Sequence, residues 1–112
     1  MADAVQAINI LQFALNAIQD RQQVIANNIA NQNTPSFQAS VVNFETSLAN
    51  ALNSGGTASA QMAPEGLPSG QDGNNVSLTA EMSLMSATSL ENQSVANSLT
   101  SQFTLLQSAI TG

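Results

Sequence analysis

Residues 25–45 read IANNIANQNTPSFQASVVNFE, and this stretch decides how the chain is organised. A helical spacing of apolar residues runs into it, meets Pro35, and is replaced by a different spacing beyond that proline. Proline has no backbone N–H and restricts the residue before it to extended geometry, so we expect the helix to end near Asn31 or Gln32. The stretch therefore predicts a junction between a helix and an extended segment.

The segment before the junction, residues 1–32, is expected to be one long helix. Its large apolar residues recur in alternating steps of three and four, with one gap at Gln22, which is a heptad seam. An ordinary core helix and a helix that binds a partner fit this seam equally well, although apolar residues off the seam favour several neighbours. The seam residues are Ile8, Leu11, Leu15, Ile18, Ile25 and Ile29.

Residues 33–53 are expected to hold the junction, an extended segment and a short helix. The span from Phe37 to Val42 suits extended backbone, and Phe44, Leu48 and Leu52 return to helical spacing. Amide side chains both donate and accept hydrogen bonds, so the asparagines here could cap their own helix or contact a neighbouring subunit. The residues that define the junction are Asn27, Asn28, Asn31, Thr34, Pro35, Phe37 and Phe44.

Residues 54–76 contain five of the six glycines and two of the three prolines, which predicts a flexible loop. Asp72 and Gly73 resemble part of a calcium loop, but the alternating oxygen ligands and the closing Glu are missing. No metal site is therefore expected there.

Residues 77–112 are expected to form a second long helix, with Ser77 as its N-cap. Its spacing again alternates between three and four residues, so it carries a second heptad seam. The large apolar residues chosen for partner binding on this seam are Met82, Met85, Leu99, Phe103, Leu106 and Ile110. The predicted fold class is all-α: two long helices packed antiparallel as a coiled-coil-like pair, separated by the short extended and helical segment and the loop.

The composition excludes several functions. Seven acidic residues against Arg21 alone give a net charge of −6, which argues against binding to nucleic acid or to an anionic membrane surface. No run approaches the ~18 apolar residues of a spanning helix, so direct lipid insertion is not expected. Without His or Cys, the commonest general base and the strongest nucleophile are absent, so we expect neither an enzyme nor a cofactor. Arg21 is expected to be a solvated residue beside Asp20.

Two motifs together resemble a known family. The pattern Asn27-Asn28, Ile29-Ala30-Asn31, Thr34-Pro35, a small residue and an aromatic is similar to the N-terminal signature of the bacterial flagellar axial proteins. The stretch DGNNV at residues 72–76, followed by Leu78 and Glu81-Met82, narrows the resemblance to the basal-body rod proteins, and most closely to those of the proximal rod. The resemblance covers residues 4–53 and 72–112. Ser36 departs from it, because the family usually has Gly at this position.

The resemblance implies a structural subunit that polymerises with copies of itself and other rod proteins around an export channel, without a catalytic step. It implies further contacts with a rod-to-membrane-ring adaptor and with the membrane-ring protein, in the periplasmic part of the basal body. The N-terminus lacks the positive charge and unbroken apolar run of a cleavable secretory signal, so export through the flagellar apparatus is expected. Two alternatives stay open: another rod protein of the same family, and a small helical secretion chaperone or coiled-coil interaction protein.

Overall fold

The computed structural model describes residues 2–54 and 57–111, so Gly55 and Gly56 of the predicted loop lie outside the described residues. The described part is mainly helical. Its elements in chain order are α1 (Ala2–Ala30), β1 (Ser40–Asn43), α2 (Glu45–Ser54), β2 (Gln61–Pro64) and α3 (Leu78–Thr111).

The two long helices pack against each other and run antiparallel. Asn74, just before α3, donates a hydrogen bond to the carbonyl of Asn31, just after α1. Farther along, Arg21 of α1 reaches Glu91 of α3 at 3.3 Å, and Val95 then packs on the buried cluster that includes Ile18. Positions on α1 fall while positions on α3 rise, which is the antiparallel arrangement expected from the sequence.

The expectation of an all-α fold is incomplete, because β1 and β2 form a small antiparallel sheet. The register places Ser40 opposite Pro64 and Asn43 opposite Gln61. Consecutive β-branched residues at 41–42 favour β1, and proline is tolerated in β2 because it stands at the end of an edge strand. Part of the segment predicted to be a loop is therefore ordered by strand pairing.

The apolar core lies where β1 crosses α1. Four buried residues form its centre, and the ring of Phe44 meets Phe13 edge to face, with ring centres 6.3 Å apart. A T-shaped pair of this kind adds stability beyond its buried area. The buried residues of this cluster are Ala17, Ile18, Val42 and Phe44, and those half-buried around it are Phe13, Val24, Leu48, Ala60 and Val95.

The seam predicted on α1 is covered. Ile8, Ile18 and Ile25 are buried, while Leu11, Leu15 and Ile29 are half-buried.

The covered side of α3 differs from its predicted seam. The two fully buried residues of α3 are Glu81 and Thr88, whereas the predicted seam residues Met82, Phe103 and Ile110 are 57%, 47% and 67% exposed. Met85, Leu99 and Leu106 are half-buried, so this row of the predicted seam is also covered in the structure. The other covered row lies one residue away from the second row of the predicted seam. A heptad pattern identifies apolar rows, but it does not tell which rows a chain covers by itself.

Within the described residues, none of the helices combines the length and the apolar character needed to cross a membrane.

Replacing Phe44 with Ala should lower the free energy of unfolding by about 3–5 kcal/mol, because it removes a buried ring from the core. Replacing Phe103 with Ala is the matched control: this ring is 47% exposed, and its loss should cost the free chain no more than about 1 kcal/mol. Urea unfolding followed by circular dichroism measures both values. Equal losses for the two variants would contradict the core described above.

Candidate functional site

The asparagine-rich end of α1 closes the helix and starts the turn. The amide group of Asn31 donates to the carbonyl of Asn27 at 2.8 Å, and its backbone N–H also points back to that carbonyl, at 3.2 Å. Thr34 then donates to Asn31 twice, from its backbone N–H at 3.0 Å and from its hydroxyl at 3.1 Å. These bonds satisfy carbonyls that a helix end leaves without partners, and they end α1 next to the position expected from Pro35.

Asn28 joins α1 to β1. Its side chain is 1% exposed, donates to the carbonyl of Ser40 at 2.8 Å, and accepts from the backbone N–H of Ser40 at 3.1 Å. The amide thus bonds both backbone groups of a strand residue, as a neighbouring strand would. β1 therefore lies between β2 on one edge and a helix side chain on the other.

Asn74 and Asn75 bind the turn from the other end of the chain. The amide of Asn74 donates to the carbonyls of Asn31 and Thr34, both at 2.8 Å. Asn75 accepts from the buried backbone N–H of Ala39 at 2.6 Å. The two motifs on which the sequence comparison with a known family rested are therefore bound to each other. We call these residues, with Asn28, the asparagine junction.

Ser36 and Gly73 come close together beside the asparagine junction. Ser36 has φ of 64°, in the left-handed region that side chains rarely adopt, and its N–H donates to the carbonyl of Asp72 at 2.8 Å. Gly73 has φ of 81°, and a Cβ placed on it would lie 3.3 Å from the Cα of Ser36. The glycine is needed both for its conformation and for its lack of a side chain.

Arg21 connects four elements, so the expectation of a solvated arginine is wrong. Its side chain is only 11% exposed and makes ion pairs with Glu45 of α2 and Glu91 of α3. It also donates to the carbonyl of Val42 in β1 at 2.7 Å, and its guanidinium lies 4.5 Å from the ring centre of Phe44. The ion pairs and the cation–π contact share one largely buried cation, whereas the carboxylates of Glu45 and Glu91 are 55% and 38% exposed and remain screened by water.

The charge of Arg21 also affects the titration of Glu45. Burial by itself would raise the pKa of Glu45, but the hydrogen bond from Arg21 and those from backbone N–H groups hold it below its usual value.

The sequence analysis missed the structural role of Arg21, although a signal existed. Arg21 lies three residues after Ile18 and four before Ile25, so it shares their covered helix face.

The remaining predicted junction residues are divided between exposed and buried positions. Asn27 and Pro35 are exposed and Phe37 is half-buried, whereas Phe44 belongs to the core of its own chain. Neither these residues nor the rest of the described chain bring together three His, Cys, Asp or Glu side chains that could hold a metal ion. The site consists of amides, backbone groups, apolar rings and the ion pairs of Arg21, and the contacts described here lie within the chain.

Replacing Ser36 with Gly should raise the free energy of unfolding by about 1 kcal/mol, because glycine adopts a positive φ without strain. Ser86, an exposed residue of α3, provides the control: glycine there should destabilise the helix by about 1 kcal/mol. Urea midpoints show whether each substitution raises or lowers the free energy of unfolding. A loss of stability in the Ser36 variant would contradict backbone strain at this residue.

Replacing Asn75 with Ala should destabilise the chain by about 1–3 kcal/mol, because the buried N–H of Ala39 loses its acceptor. Asn33→Ala removes an exposed amide from the same turn and should change stability by no more than about 0.5 kcal/mol. Thermal unfolding of the two variants compares them directly. If both behaved like the unmodified chain, the asparagine junction would not hold the turn.

A family model supports the resemblance noted in the sequence. Residues 8–38 match the model described as flagella basal body rod protein, from α1 through the Thr34-Pro35 turn. No curated protein matches the chain. The match covers 31 of the 112 residues, so this part of the chain is similar to the flagellar basal body rod proteins.

Proposed function

We propose that the chain is a structural subunit of the proximal rod, which polymerises with copies of itself and with other rod proteins into the shaft that transmits torque. The observation that carries the proposal is the set of large apolar side chains left exposed along α3. Apolar surface of this kind marks sites of contact with other proteins. The most exposed of them are Leu90, Leu105 and Ile110, at 68%, 61% and 67%.

The shape of the chain supports assembly. Its radius of gyration is 17.4 Å and its extents are 64 × 24 × 14 Å. A compact domain of this length has a radius of gyration of about 13 Å. A slender subunit exposes more surface than a globule does, and neighbours would cover it in a helical tube.

The proposed mechanism is mechanical. Long helices near the shaft axis, interlocked by apolar rows with those of adjacent subunits, resist shear and pass torque along the rod. Because the chain has 25 Asn and Gln residues and one Arg, polar contacts between subunits would use neutral amides and depend weakly on salt. The free chain would be poorly ordered at both helix ends and would fold fully as it assembles.

The segment after the Thr34-Pro35 turn would contribute sideways contacts. Phe37 is half-buried and is available for this role, whereas Phe44 packs on Phe13 and Arg21 inside its own chain. A lateral contact would therefore depend on Phe37, and loss of Phe44 would act through the stability of the subunit.

The proposed place is the periplasmic part of the rod, surrounding the export channel. The partners would be other rod proteins, the adaptor between rod and membrane ring, and the membrane-ring protein. The net charge of −6 supports a surface that avoids nucleic acid and anionic lipid. The subunit would reach this place through the flagellar export apparatus.

Another rod protein of the same family is the second candidate, because the matched region 8–38 is described only as rod protein and does not separate the members. A helical chaperone is the candidate that the family match disfavours. It would form a defined small oligomer that holds one partner stoichiometrically, and this behaviour distinguishes it from a polymerising subunit.

A double variant of α3 tests the proposal. Replacing Phe103 and Ile110 with Ser should raise the protein concentration needed for assembly by roughly tenfold or more, because each loss of about 1.4 kcal/mol is tenfold. Circular dichroism and light scattering across concentration, with the neighbouring rod and adaptor proteins added, measure helicity and assembly together. Helicity that rises as large assemblies form is the expected result for the unmodified chain.

The control replaces exposed Gln107 of the same helix with Ser, which should leave assembly unchanged. A stable, fully helical monomer or dimer that ignores the rod proteins would overturn the proposal. So would a double variant that assembles like the unmodified chain.

A further inference from the structure

Glu81 is a carboxyl group inside the structure. It lies in the first turn of α3, its exposed fraction is 0%, and both of its side-chain oxygens are buried without a hydrogen-bond partner. An ionised carboxylate in such a place is strongly disfavoured unless it is paired and hydrogen-bonded. The carboxyl group of Glu81 therefore needs a hydrogen-bond partner, which it lacks when it is ionised.

The group next to Glu81 is a second carboxyl, that of Glu65. Glu65 follows β2 directly, and its backbone N–H donates to the carbonyl of Ala39 at 2.9 Å. One of its side-chain oxygens is also buried without a partner. Ala39 accepts from the N–H of Glu65 and donates to Asn75, which brings Glu65 beside the start of α3, where Glu81 lies. Two ionised carboxylates contain no donor, so these oxygens find a partner only when one group carries a proton.

The charged side chains nearby do not offer a positive charge that could stabilise two ionised carboxylates in place of that proton. The guanidinium of Arg21 is occupied by Glu45 and Glu91, and α1 has no charged residue after it. On the segment between β2 and α3 the other charged residue is Asp72, whose carboxylate accepts from the backbone N–H of Asn74 at 3.1 Å. β1 and β2 carry no charged side chain. The elements packed around the pair therefore bring either acidic side chains or no charged side chain near it.

We propose that Glu65 and Glu81 share one proton, and that this shared proton fastens the end of β2 to the first turn of α3. Removal of the proton leaves two negative charges facing each other in a buried place. The attachment of the end of β2 to the first turn of α3 then weakens, while the Arg21 contacts and the asparagine junction keep the rest of the fold together. The segment between the strands and α3 is in this way held by a contact that depends on pH.

The direction of the pH dependence follows from the titration of Glu65. Burial, the hydrogen bond with Glu81 and the repulsion from its charge raise the pKa of Glu65 from 4.5 to about 7. A raised pKa in the folded chain means that the stabilisation is complete below pH 4.5 and is lost as pH rises toward 7. One linked proton changes the unfolding constant by about tenfold per pH unit at most, and the partial exposure of Glu65 reduces this value.

The test is a carboxyl titration of the full chain by carbon-detected nuclear magnetic resonance, which does not require assembly and so is independent of the proposed function. The Glu65 carboxyl should titrate near pH 7, and Glu81→Gln should move its midpoint downward, because the amide removes the opposing charge and donates a hydrogen bond. A Glu65 midpoint near 4.5 that is unaffected by Glu81→Gln would overturn the proposal.

Thermal unfolding between pH 4.5 and 7.5 provides the second measurement. The unmodified chain should lose stability across this range, and Glu65→Gln should remove most of the loss. Asp20→Asn, which neutralises an exposed carboxylate of α1, is the matched control and should keep the loss. If Glu65→Gln kept the same pH dependence as the control, the pair would not be its source.

Discussion

The fold depends on hydrogen bonds between neutral amides and the backbone at the point where α1 ends. Asn28 bonds both backbone groups of Ser40, and Asn74 bonds the carbonyls of Asn31 and Thr34. Without these bonds the turn after α1 would leave partly buried backbone groups without their hydrogen-bond partners, which destabilises the turn. β1 is positioned by this turn, and β2, the core and the start of α3 are positioned by β1.

Charged side chains and amide side chains have different roles in this chain. The single basic residue, Arg21, makes its contacts inside the chain, where it binds Glu45, Glu91 and the carbonyl of Val42. No basic side chain remains for contacts with other molecules in this sequence. The side chains that the chain can offer to other molecules are therefore apolar, neutral polar or acidic.

The sequence was most informative where the physical cause is local. Pro35 and the asparagines before it predict the end of α1, and Ser77, whose hydroxyl accepts from the N–H of Ala80 at 3.3 Å, predicts the start of α3. Contacts between distant residues were not predictable. Gln61–Pro64 has no strand-like pattern and becomes a strand because β1 is already in place.

The charged residues illustrate the same limit. The ion pair of Arg21 joins residues 70 positions apart, and Glu81 is buried one residue away from the predicted seam. The spacing of Arg21 from Ile18 and Ile25 marks its covered face, but nothing in the sequence identifies its partner on α3. The asparagine junction is intermediate: its two motifs are visible, but the sequence does not show that they bind each other.

The displaced seam of α3 has an evolutionary consequence. Glu81 and Thr88 mark the row that holds the helix to its own chain, while Met82, Phe103 and Ile110 lie on a different row. Substitutions on the outer row change exposed side chains without disturbing how the chain folds. Selection on the surface of the helix and selection on its packing are then largely separable.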